Sequence, residues 1–196
     1  MKKLFLTALV AVASLTASAQ IWVGGEVGLN SSKTTNDGTE IGKTKSAYFA
    51  PEIGYKFSDN IDFAVAFDFS HYNGIHEGKG FDEDGEYGTI TWDGVSNSFS
   101  FNPYIRYTFL KSGQFSAFVD GGFYYGFTHY SGDDENRINW GIVVRPGIAY
   151  SLTDKVGLVA HVGRAAWDFS KKDEQKTNAF GVELWNQITF GAYVNF

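Results

Sequence analysis

The chain has no cysteine, three prolines and one methionine among 196 residues. Without cysteine there is no disulfide framework, no thiolate metal site and no attachment point for a lipoprotein anchor. Basic residues are also scarce, 16 lysines and arginines against 22 acids, for a net charge of −6. That balance opposes nucleic-acid binding, which requires a basic face. Beyond the N-terminus no apolar run reaches the ~18 residues of a transmembrane helix. The mean hydropathy of −0.19 still permits membrane strands, because alternation dilutes their signal. No Pro- or Ser-rich linker divides the chain. Neither a glycine-rich phosphate cradle nor an HExxH pair occurs, and no cofactor is expected.

What is present is alternation. From Phe180 to Phe196 every second residue is apolar except Asn186, and the interleaved residues are polar, small or amphipathic. Period two over such a length describes a strand with one greasy face and one wet face. Strands of soluble domains average about 5–6 residues, whereas a tilted strand crossing a bilayer needs about 9–11. At the other end, Lys2 and Lys3 precede an apolar run and then Ala17-Ser18-Ala19, the order of a cleavable secretory leader. The expected division is a signal peptide over 1–19 and a barrel domain over 20–196.

Eight strand-like segments follow, near 21–30, 46–57, 60–72, 95–109, 114–130, 138–152, 155–168 and 180–196. Ser58-Asp59-Asn60, Leu110 to Gly113 and Thr153-Asp154 read as short turns. The intervening connections are longer and polar, the alternation expected of an all-β, eight-stranded antiparallel up-and-down transmembrane barrel. All three prolines belong to one repeat, P-x-I-x-Y, starting at Pro51, Pro103 and Pro146. Each copy precedes a short turn, and its Pro, Ile and Tyr share a face, assigned here to lipid with the tyrosines at the interface. A proline within a closed sheet forfeits a ladder hydrogen bond.

These features, with the leader ending in Ala-Ser-Ala-Gln and the terminal strand ending on Phe196, resemble the outer-membrane β-barrel domain family of Gram-negative bacteria, the porin-like, OmpA/OmpX-like eight-stranded barrels. The resemblance covers essentially all of residues 20–196. It implies outer-membrane lipids and the barrel assembly machinery as partners, with Phe196 as the assembly signal. It does not name a function, since one scaffold hosts many.

If the apolar series faces lipid, the complementary series faces the lumen. It carries Glu26, Glu52, Asp62, Asp68, Asp120 and Glu183 with Lys56, Arg106, Arg145 and His161. Charge on the lipid face near the midplane would cost about 2–4 kcal/mol per Lys or Arg. A lumen charge network is therefore expected among Glu26, Glu52, Arg106, Asp120, Arg145 and Glu183, with Glu26 and Glu183 meeting across the closing seam. Trp22, Tyr104, Phe118, Tyr124, Trp185 and Tyr193 share that face. An eight-stranded barrel is just wide enough for side chains to fill, so a plugged lumen and a structural, surface-contact or adhesive role are expected.

Two alternatives come from other classes. His129 and Ser131 share a face beside Glu135, and a serine activated by histidine and oriented by a carboxylate follows the logic of a nucleophilic triad. That pair distantly resembles the His-x-Ser of lipid A deacylases, implying a surface hydrolase. The other alternative is a small-solute channel. The acidic runs Asp82-Glu83-Asp84-Gly85-Glu86 and Asp133-Asp134-Glu135 offer an extracellular ligand a contact, but neither has the spacing of a calcium loop.

Overall fold

The computed structural model describes residues 20–36, 39–81, 86–132 and 135–196. The leader over 1–19, Asp82 to Gly85 and Asp133-Asp134 lie outside the described residues, as does the side chain of Trp185. Eight antiparallel strands form a closed barrel in chain order. They are β1 (Ile21–Asn36), β2 (Thr39–Lys56), β3 (Ile61–Phe81), β4 (Tyr87–Ser112), β5 (Phe115–Tyr130), β6 (Arg137–Ser151), β7 (Val156–Lys172) and β8 (Gln175–Asn195).

The faces sort as the alternation predicts. Phe49, Phe67, Phe69, Ile105, Phe123, Ile142, Phe180 and Phe190 are exposed, while Glu26, Glu52, Arg106, Asp120 and His161 are buried. An exterior this apolar exceeds the patches that soluble monomers expose and suits hydrocarbon. Aromatic rings continue across strands on it. Phe69, Phe99 and Phe127 form one row at centroid spacings of 5.1 and 5.7 Å, and Trp140 stacks on Phe169 at 4.1 Å.

Strands are longer than the apolar alternation suggests. Residues 31–45 and 73–94 read as loops, but β1 pairs with β2 out to Asn36–Thr39 and β3 with β4 out to Phe81–Tyr87. Above the hydrophobic belt both faces of a hairpin meet water, so the period-two marker fades while the backbone pairing persists. The turn expected at 110–113 is also displaced, since β4 runs to Ser112 and Gly113 turns with φ +59°. Phe109 is an extra residue there, with Thr108 opposite Phe118 and Leu110 opposite Ala117. Phe109 and Leu110 consequently both point outward, 59% and 56% exposed. Such a bulge advances one strand by a residue relative to its neighbour.

The three prolines share one consequence. Each keeps its place in the ladder with the preceding strand, opposite Gly25, Val65 and Val119 respectively. Pairing with the following strand skips Ala50-Pro51, Asn102-Pro103 and Arg145-Pro146. Only the third interruption also shifts the register. The tyrosines that end the repeats reach the short-turn rim, where Tyr55 bonds to Gln20 and the Tyr150 hydroxyl donates to Gln114 at 2.7 Å.

Two of the short turns are closed alike. The Ile61 amide donates to Ser58 Oγ at 3.1 Å, and the Val156 amide donates to Thr153 Oγ1 at 3.0 Å. Ser58→Ala or Thr153→Ala is expected to lower barrel stability by only about 1 kcal/mol, measured as a small shift of the urea midpoint of the heat-modifiable band.

Candidate functional site in the lumen

Register brings the lumen charges into a row. Lys56 stands opposite Asp62, Asp62 opposite Arg106, Arg106 opposite Asp120 and Asp120 opposite Arg145. The signs alternate across five adjacent strands, β2 to β6. At the centre Arg106 donates from Nε and Nη2 to the two Asp120 oxygens, both at 2.8 Å. This is the bidentate fork that guanidinium and carboxylate geometry favour. Asp120, only 1% exposed, also lies 2.8 Å from His161 Nε2, and His161 Nδ1 is 2.5 Å from Glu26. Tyr104 donates to Glu52 at 2.6 Å. Arg145 is looser, with its nearest carboxylate oxygen, on Asp120, at 4.0 Å.

Rings complete this layer. The Arg106 guanidinium lies 4.0 Å from the Phe118 centroid and 5.5 Å from that of Trp22. Both rings occupy space vacated by glycines. A Cβ on Gly54 would come within 2.1 Å of Trp22, and one on Gly147 within 2.4 Å of Phe118. The layer separates two lumen cavities that share no lining residue. One of about 880 Å³ opens at the short-turn rim, where Lys56, Asp62, Arg106 and Phe118 line it. The other, of about 540 Å³, lies on the long-hairpin side and is bordered by Glu26, Tyr104, Asp120, Arg145 and His161.

Glu183 corrects the expected network. It stands opposite Arg164 on β7, whereas the neighbour of Glu26 across the β1–β8 seam is Gly191, eight residues further along. Strand stagger separates the two acids, although both belong to the inward series. Sequence reading also left out Arg164 and Asp168, which pair at 2.5 and 3.1 Å while Tyr124 donates to Asp168 at 2.5 Å. Their i, i+4 spacing was a visible signal. The parity change that turns them inward was not, because it arises where the β7–β8 ladder breaks between His161 and Gly163. The opposing stretch of β8, between Leu184 and Thr189, also interrupts the alternation read as continuous from Phe180 to Phe196.

The candidate triad is not assembled among the described residues. His129 Nδ1 faces Asn136 Oδ1 at 3.1 Å, and the Ser131 amide donates to the Val95 carbonyl at 2.8 Å. Both residues are exposed at the long-hairpin rim. His71 is matched in the same way with Asn97, at 2.9 Å, so an asparagine partner accounts for each rim histidine. No group of three or more acidic or histidine side chains suited to a metal ion occurs among the described residues. At the chain end the Phe196 amide donates to the Ile21 carbonyl at 3.0 Å, tying the terminus to β1.

Comparison with functionally curated proteins gives no match. Among solved structures, the chain is similar to Neisserial surface protein A (NspA), with a TM-score of 0.55 and 16% identity over 91% of this chain and 98% of that one. It also matches the Yersinia pestis outer membrane protein Ail, with a TM-score of 0.41 and 18% identity over 90% and 99% of the two chains. The family model for the outer membrane protein beta-barrel domain matches residues 4–196. With nearly the whole chain matched and a closed eight-stranded barrel observed, this protein belongs to the outer membrane protein beta-barrel domain family.

Proposed function

We propose that this outer-membrane barrel is a non-conducting scaffold that presents its long hairpins as a surface for contact or adhesion. The observation that carries the reading is the side-chain layer dividing the lumen into two cavities with no common lining residue. A filled lumen leaves the exterior to carry function. On the hairpin side, β3 and β4 stay paired to Phe81–Tyr87. The acidic tips favour a basic partner through charge complementarity. In this reading the leader over 1–19 is removed on export, and the assembly machinery engages the strand that ends on Phe196.

Planar-bilayer recordings of the refolded barrel are expected to show no steady conductance steps. Regular steps would favour the small-solute channel. Replacing residues 75–93 by a tight turn is expected to leave heat-modifiable mobility intact and to reduce attachment of expressing bacteria to immobilised cells severalfold. Unchanged attachment would remove the hairpin from the contact surface.

A further inference from the structure

The barrel wall is incomplete at one seam. The β1–β8 ladder covers only Trp22 to Val27 against Phe190 to Asn195. Above it β1 pairs with β2 alone and β8 with β7 alone. Six residues of strand at ~3.3 Å each, tilted ~45°, rise roughly 14 Å, about half of the ~25 Å apolar band of such barrels. The gap therefore faces the outer leaflet. Phe180 and Val182 flank it with exposed side chains. Unpaired backbone groups in hydrocarbon are costly and require a partner.

Behind the gap lies the 540 Å³ cavity, within the ~300–1,000 Å³ range of small-molecule sites. Gly28 and Leu29 of β1 and Thr189 of β8 border it, so it reaches both edges of the gap. Leu29 belongs to the outward series and is 88% exposed, yet it borders a lumen cavity where β1 has no neighbour on that side. The cavity is closed below by the charged layer, which makes it a dead end with a side door.

The charges bordering this cavity are satisfied, with one exception. Glu26 and Asp120 are held by His161, and Asp120 also by Arg106. Asp68 accepts from Asn102 and, at 3.2 Å, from Ser100. Arg164 is paired with Asp168. Arg145 makes no hydrogen bond among the described residues, its Nε is buried without a partner, and its one carboxylate neighbour is 4.0 Å away. A guanidinium with unspent donors selects a planar anion. Tyr48, Tyr124 and Val143 line the path towards the gap.

We propose that this cavity binds a single-chain anionic amphiphile of the fatty-acid type, its carboxylate on Arg145 and its acyl chain leaving through the β1–β8 gap into the outer leaflet. This goes beyond the surface-contact reading and does not depend on it, because a dead-end site conducts nothing. Native mass spectrometry of the barrel in uncharged detergent tests it with oleate, oleyl alcohol and acetate. One oleate per barrel is expected, bound at least tenfold more tightly than either control, and Arg145→Gln should lose that tenfold preference. Oleyl alcohol matching oleate, or an unchanged Arg145→Gln variant, would overturn the role of Arg145. Acetate matching oleate would overturn the acyl path. These controls use the unaltered protein, so they decide even if Arg145→Gln fails to refold. The chain has no cysteine, so Gly28→Cys with Thr189→Cys, next in register above the last seam pair, introduces the sole disulfide. Oxidation is expected to abolish oleate binding and reduction to restore it. Binding indifferent to oxidation would refute the side door.

Discussion

Arg106→Ala is expected to lower the stability of the folded barrel by about 3–5 kcal/mol, the usual cost of breaking a buried ion pair from one side. The substitution removes both 2.8 Å hydrogen bonds to Asp120. Asp120 would then keep His161 and the distant Arg145 as partners, at the most buried point of the lumen. Two ring faces, on Phe118 and Trp22, lose the cation they pack against. The check is a urea titration of heat-modifiable mobility. Arg145→Ala is the internal control. With no close carboxylate it should shift the midpoint far less, so equal shifts for the two arginines would contradict the geometry. The sequence alone treats them as equivalent, since each sits within three residues of a repeat proline.

The second large effect concerns the rings. Truncating a buried Trp or Phe to Ala typically costs about 3–5 kcal/mol, and Trp22 and Phe118 are 2% and 1% exposed. They stand between the 880 Å³ and 540 Å³ cavities, with Trp22 edge-on to Tyr193 at 6.3 Å and Phe118 edge-on to His161 at 5.4 Å. The double variant Trp22→Ala, Phe118→Ala is therefore expected to be markedly less stable. Where it remains folded, it should show conductance steps that the natural barrel lacks. A folded double variant that stays at baseline would mean that the ion pairs alone seal the lumen.

Strand number, facing and the filled lumen were legible because period two reports directly which residues meet lipid. The pairing of charges was less legible, since it depends on register between strands. Lys56 opposite Asp62 follows from a short turn between neighbouring strands. Arg106 opposite Asp120 does not, because counting back from the Gly113 turn without the bulge places Arg106 against Gly121. One extra residue, Phe109, brings the fork onto the carboxylate. Its only trace in the sequence is the adjacent apolar pair Phe109-Leu110. The error over Glu183 has the same root, as facing gives no information about height along a staggered strand.

The prolines have a consequence for how the wall yields. In β2, β4 and β6 the backbone lets go of the next strand for two residues, within the inner half of each strand. In β8, which has no proline, the grip on the next strand ends after Phe190 and does not resume. Every even-numbered strand is thus notched on the same side, and one notch has become a slit. A hoop scored at regular intervals flexes at the scores, since regions with fewer backbone bonds open at lower free energy. The girth of this tube is therefore adjustable in a band around its waist, while the turns below hold it to a fixed ring.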